Sequence, residues 1–280
     1  MLTQRQLFIN HLAQTSDAPL ALEIESAQGV YLKDASGKKY LDLISGISVS
    51  NVGHRHPAVL KAIQEQLDKY MHLMVYGEYI QAPQVKLARL ISDLLPAKLS
   101  SVYFVNSGSE AIEGAMKLAK RYTGRTEVVA FKNAYHGSTQ GSLSIMGNEE
   151  FKQAFRPLLP DIKQLAYNNI QQLEHITDRT AAVFVETLQG EAGAIAPQGD
   201  FLKQLQRRCV ATGTLLIADE IQTGFGRTGK LFAFEHYDIV PDILCIAKGM
   251  GGGMPIGAFI SSKEIMNSLT NNPVLGHITT

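Results

Sequence analysis

Between Ser101 and Ala247 the chain alternates short apolar runs with longer stretches of mixed character. The runs SVYFVN, EVVAF, AAVFVE, TLLIAD and DILCIA have strand length and are rich in β-branched and aromatic residues, which fit a pleated, buried surface. Between them, 108–123 and 198–212 have helix length, and Ile112, Met116 and Ala119 fall on one helical face. This alternation predicts an α/β protein with a mostly parallel central sheet covered by helices on both sides. The first hundred residues are mixed, with a helix near 2–14, short strands near 30–32 and 39–41, and helices near 57–70 and 82–95. The expected division is a small N-terminal α+β lobe, 1–60, followed by a large α/β domain, 61–280. Ligands of such sheets gather at the carboxyl ends of the strands, so the residues that follow the five runs are the first candidates for chemistry.

Composition narrows the partners. Lys and Arg number 26 and so do Asp and Glu, so the formal charge of zero provides no field to gather nucleic acid or an anionic membrane. With 45% hydrophobic and 19% charged residues, the chain has the make-up of one that folds around a core. Cys209 and Cys245 stand far apart, which excludes a disulfide framework and a thiolate zinc site and favours a reducing, cytoplasmic setting. The opening MLTQRQLFINHLAQ lacks the basic region and long apolar run of a secretory leader. Apolar runs such as 215–218 are far shorter than the ~18 residues a spanning helix needs.

Three strand ends carry candidate chemistry. After SVYFVN, Ser107-Gly108-Ser109-Glu110 opens a helix. Ser107 and Glu110 have capping-box spacing, which accounts for them structurally, yet the glycine, the hydroxyls and the free N–H groups of a helix start also suit a phosphate. TLLIAD delivers Asp219-Glu220 from a buried strand, where a carboxylate either caps the next turn or holds a cation or protonated ring. DILCIA ends in Ala247-Lys248 before the glycine-rich GMGGGMPIG, and a partly buried lysine there can act as an amine nucleophile or be a plain turn residue. Gly224–Lys230 fits both G-x-G-x-x-G and G-x-x-x-x-G-K, but Leu231 replaces the hydroxyl residue of a P-loop and no first-strand context supports a dinucleotide site. His54-Arg55-His56 has no third ligand at a recognisable spacing, so a turn is expected there and no metal site.

Taken together, NSGSEA (106–111), AYHG (134–137), ETLQGEAG (186–193), LIADEIQTGFGRTGK (216–230) and IAKGMGGGMPIGA (246–258), with GHRHP at 53–57, occur in the order and spacing of one family. The chain resembles the class III, or omega, aminotransferases that use pyridoxal 5'-phosphate, of the acetylornithine, ornithine and 4-aminobutyrate type. The resemblance implies the type I pyridoxal-phosphate transferase fold. It implies Lys248 as the Schiff-base lysine and Asp219 as the partner of the pyridine nitrogen. Ser107, Gly108 and Ser109 would form the phosphate cup, Tyr135 would stack on the ring, Gln222 would touch the ring hydroxyl, and His136 and Glu186 would complete the cofactor site. Glu191 would gate the substrate pocket and Ile47 would line it. Thr280 would reach the phosphate of the neighbouring subunit in a homodimer with shared active sites. The implied reaction moves an amino group, a terminal one, from a small amine or amino acid to a 2-oxo acid such as 2-oxoglutarate.

Departures from the family pattern add expectations of their own. Relatives continue with a C-terminal domain bearing a carboxylate-binding arginine, so the sequence ending at Thr280 is expected to be truncated. Ser138 stands where many relatives carry arginine, and Ile47 where ornithine-type relatives carry tyrosine. An aminomutase or decarboxylase on the same scaffold, or a fragment without turnover, are the alternatives to a transaminase.

Overall fold

The computed structural model describes residues 2–74 and 78–270, in two compact units, Met1–His72 and Leu73–Thr280. The expected division at 60 falls inside the helix Pro57–Leu67.

In the first unit, α1 (Gln4–His11) starts at Thr3, whose side chain and that of Gln6 cap each other's backbone. The strands β1 (Ile24–Gln28), β2 (Tyr31–Asp34) and β3 (Lys39–Leu41) form an antiparallel meander. Asp34 closes the β2–β3 turn by accepting from the N–H groups of Ser36 and Lys38. The next turn, α2 (Ser45–Ser48), is unusual, because Ser45, Gly46, Ile47 and Ser48 all have positive φ. Left-handed backbone costs non-glycine residues about 1 kcal/mol or more each. It is braced by Asp42, which accepts from Ile44 N and Ser45 N and pairs with His54 Nε2 at 2.7 Å. The last helix, α3 (Pro57–Leu67), begins on a proline and is capped by His56 Nδ1, which accepts from Ala58 N. His54 and His56 therefore have structural partners, and no metal-holding cluster of three His, Cys, Asp or Glu residues occurs among the described residues.

The second unit contains α4 (Ala82–Leu94), β4 (Ser101–Val105), α5 (Gly108–Thr123), β5 (Glu127–Phe131), α6 (Gln140–Ser144) and β6 (Ile162–Leu165), then β7 (Thr180–Glu186), α7 (Phe201–Thr212), β8 (Leu215–Asp219), β9 (Ile243–Ile246), β10 (Gly257–Ser261) and α8 (Lys263–Asn267). Its sheet runs β4-β10-β9-β8-β7-β5-β6. β10 is antiparallel to both its neighbours, and the pairs from β9 through β6 are parallel. All five strand-length runs form strands, and helices cover both faces as the alternation predicts.

Alternate residues of the central strands enter opposite cores. Ala182 and Phe184 pack with Ile112 and Met116 of α5, whereas Val183 and Val185 pack with Phe201 and Leu205 of α7. Every residue of β7 and β8 is buried, the pattern of parallel strands covered on both sides. The polar ends of β7 and β8 are thereby fixed by apolar packing along their lengths. Among the described residues, no helix is long and apolar enough to cross a membrane.

Candidate active site

The site forms where several strands of the parallel sheet end. Register pairs Glu186 of β7 with Asp219 of β8, and Asp219 with Cys245 of β9, three residues before Lys248. Two carboxylates and a lysine are thus delivered to one edge by the pairing of apolar strands.

Asp219 is buried and uses both oxygens: Oδ1 accepts from Ile221 N at 3.0 Å, and Oδ2 lies 2.7 Å from His136 Nδ1. It caps its own turn and also holds an imidazole, so the two sequence readings of this carboxylate combine. Burial alone pulls the His136 imidazolium down, but the hydrogen bond and charge of Asp219, with the charge of Glu186, raise its pKa above the usual value. His136 Nε2 is buried with no protein hydrogen-bond partner.

Burial pushes the Glu186 carboxyl up to about 7, with His136 opposing the rise and Asp219 adding to it. Its Oε2 accepts from Tyr135 N at 3.1 Å, tying the AYHG segment to the end of β7. Tyr135 itself keeps its side chain partly open to solvent, at 38% exposure, with its ring edge-on to Phe151. Lys248 is half-buried, and burial pulls its ammonium below the usual lysine value, Arg227 assisting and the carboxylates of Asp219, Glu191 and Glu186 opposing. Gln222 Nε2 donates to Glu191 Oε1 at 3.0 Å, joining two more of the expected residues.

The start of α5 comes close to this edge. A Cβ on Gly108 would lie 2.9 Å from Ile221 Cγ2, so only glycine lets the helix start approach the turn after Asp219. Gly137 has φ +116°, and a Cβ there would lie 2.2 Å from Ser109 Oγ. Ser109 is thereby set against the AYHG loop. Ser107 Oγ accepts from Glu110 N as predicted, but the expected capping box is only half formed. Glu110 Oε2 accepts instead from Asn106 N at 2.7 Å and from Asn106 Nδ2 at 3.0 Å. The side chain of Asn106, which the spacing rule ignores, supplies a second donor that draws the carboxylate one residue further back.

The structure therefore brings together Ser107, Gly108, Ser109, Tyr135, His136, Glu186, Glu191, Asp219, Gln222 and Lys248 within the second unit. Ile47 lies in the first unit, on the left-handed turn and 59% exposed. Thr280 lies outside the described residues. Gly224–Lys230 forms turns, with no helix beginning at its lysine, which removes the local structure that both nucleotide motifs require. Sequence reasoning missed the contact of His136 with Asp219. The histidine in AYHG was the available signal, but its partner lies 83 residues away.

A family model described as aminotransferase class-III matches residues 12–280. An acetylornithine aminotransferase of Methanopyrus kandleri is 44% identical over 256 residues, 91% of this chain and 65% of that protein. A [LysW]-aminoadipate semialdehyde/glutamate semialdehyde transaminase of Sulfurisphaera tokodaii is 43% identical over 89% of this chain and 64% of its own length. The chain thus spans a little under two thirds of these relatives. Among solved structures, taurine:2-oxoglutarate aminotransferase of Bifidobacterium kashiwanohense, in complex with PLP and glutamate, superposes with a TM-score of 0.89 at 28% identity, covering 98% of this chain and 67% of that one.

Proposed function

The chain belongs to the class-III aminotransferase family, and we propose that it works as a pyridoxal-phosphate-dependent transaminase, moving a terminal amino group from a small amine or amino acid to a 2-oxo acid such as 2-oxoglutarate. The observation that carries this reading is the convergence of a buried, imidazole-bonded carboxylate with a half-buried lysine of depressed pKa at one end of the sheet.

The residues fit the cofactor. A buried Asp219 with His136 behind it suits a protonated ring nitrogen, and the glycine-lined start of α5 suits a phosphate. Pyridoxal phosphate, when bound, supplies an aldehyde that takes up an amino group and a ring that accepts electron density. Lys248 would provide the amine that holds that aldehyde and would serve as the base that moves the substrate's proton. Its lowered pKa raises the share of neutral amine above that of an exposed lysine. Asp219, with His136 donating to its Oδ2, would hold the ring proton by ion pairing. Ser107, Ser109 and the N–H groups at the start of α5 would bind the phosphate. Gln222 would bind the ring hydroxyl, and Tyr135 would cover the ring. Glu191, held by Gln222, would border the substrate.

The names of the two relatives support a donor with a terminal amine. A homodimer with shared sites and a cytoplasmic setting are part of the same proposal. The test is the visible spectrum of the protein with pyridoxal phosphate, before and after a panel of terminal amines, with Lys248→Ala alongside. A donor-dependent loss of the long-wavelength band, with a separate carbonyl product, is expected for the parent. Turnover in the variant should fall by about 10²-fold or more, the scale of a lost proton-transfer group. Release of carbon dioxide or a rearranged amine would instead identify a decarboxylase or an aminomutase.

A further inference from the structure

Glu220 follows Asp219 and is wholly buried, yet no step above uses it. Its Oε1 accepts from Thr187 Oγ1 at 2.7 Å and from Phe234 N at 2.8 Å, and its Oε2 from Thr223 Oγ1 and from Ala233 N at 3.0 Å. Its main-chain N–H donates to Cys245 O at 2.9 Å. These partners come from four places. Thr187 follows Glu186 at the end of β7, and Thr223 follows Gln222. Cys245 lies in β9 ahead of Lys248, and Ala233 and Phe234 lie where the chain returns from the Gly224–Lys230 loop.

We propose that Glu220 is a positioning residue for the cofactor site. Without touching a reactant, its carboxyl group ties the ends of β7 and β8 to the returning loop and so fixes Asp219 and Gln222. The proposal rests on the reading of the site given above.

The bonding pattern makes a selective demand. Each carboxyl oxygen receives one hydroxyl and one main-chain N–H. A hydroxyl can reverse its role, but an N–H cannot. Glutamine has nearly the shape of glutamate, but its NH2 would face Phe234 N–H in one orientation and Ala233 N–H in the other. Either way a buried donor meets a donor and one N–H is left without an acceptor. An ionised carboxylate satisfies all four donors. A protonated carboxyl also fits, because its O–H can donate to a threonine hydroxyl that turns its own hydrogen away. The site therefore tolerates either protonation state of Glu220 and rejects the amide.

The test measures the affinity of pyridoxal phosphate by equilibrium dialysis, and thermal unfolding, for the parent, Glu220→Gln, Thr223→Val and Glu235→Gln. Glu235 is the control, since its Oε1 holds Phe232 N at 2.8 Å on the same loop but belongs to no site residue. Glu220→Gln is expected to weaken binding by about tenfold, the scale of one unsatisfied buried donor. Glu235→Gln, which keeps an oxygen for Phe232 N, should change the unfolding temperature and the affinity little. Less than about threefold weakening in a folded Glu220→Gln protein overturns the proposal, as does equal weakening in Glu235→Gln, for then the loop as a whole and not this carboxyl sets affinity. If Glu220→Gln does not fold, Thr223→Val decides on the same comparison, because it removes one hydroxyl donor at nearly constant shape. A parent that binds no pyridoxal phosphate would overturn the cofactor reading itself, a result distinct from a parent that binds and a Glu220 variant that binds equally.

Discussion

Glu186 shows how strongly burial acts on a single residue at this sheet edge. Its carboxyl is raised from the ordinary 4.5 to about 7, chiefly by burial. A raised folded-state pKa means that the folded protein holds the proton more tightly than the unfolded chain does. The corresponding stability is fully present below pH 4.5 and is lost as pH rises through about 7. At roughly 1.4 kcal/mol per pH unit, the loss is about 3 kcal/mol across that window. His136, whose pKa is also raised, acts in the same direction at higher pH. Urea unfolding of the cofactor-free protein between pH 4.5 and 7 should therefore show falling stability, and Glu186→Gln should flatten that slope. An unchanged slope in the variant would assign the proton elsewhere. Single residues were legible in the sequence where their neighbours along the chain define them, as with Asp219 at the end of an apolar run or Lys248 before glycines. The roles of His136 and Glu220 were not, because their partners are set by tertiary packing across 83 residues in one case and across three loops in the other.

At the scale of elements, α5 couples the core to the site. Its buried face contains Gly114, where a Cβ would lie 2.3 Å from Cε1 of Phe259 on β10. Phe259 is fully buried and stacked on Tyr103 at 4.8 Å between ring centres, so the ring has no room to yield. Replacing glycine by alanine in a helix interior gains about 1 kcal/mol from propensity alone. Overpacking costs about 1–3 kcal/mol, and with the ring fixed from behind the upper part of that range applies. Gly114→Ala should therefore destabilise the protein by about 1–2 kcal/mol in urea unfolding; a stabilised variant would show that α5 can slide away from the sheet. The same coupling explains which elements the sequence revealed. The five runs advertise themselves as apolar, and four of the strands they form, β5, β7, β8 and β9, are buried almost throughout, with helices on both faces of the sheet. β6, with the sequence IKQL, lies at the sheet edge and carries polar residues that mask it. β10 follows directly on a glycine-rich loop that blurs its start, and β1 is largely exposed, so neither has a hydrophobic signature long enough to stand out.

At the scale of the whole molecule, the account comes down to a sheet whose order and register bring together residues that are far apart along the chain. Local patterning was enough to give the α/β class and the edge where chemistry gathers. The residue roles came from the family motifs, and the hydrogen-bond partners became visible only with the fold. The central claim is that Lys248 is the amine that binds the cofactor, and a covalent trap tests it most directly. The protein is incubated with pyridoxal phosphate, reduced with borohydride, digested and examined by mass spectrometry. The account predicts that the peptide bearing Lys248 gains the mass of a reduced pyridoxyl phosphate and that the peptide bearing Lys230 does not. Modification centred on any other lysine, or none at all, would contradict it.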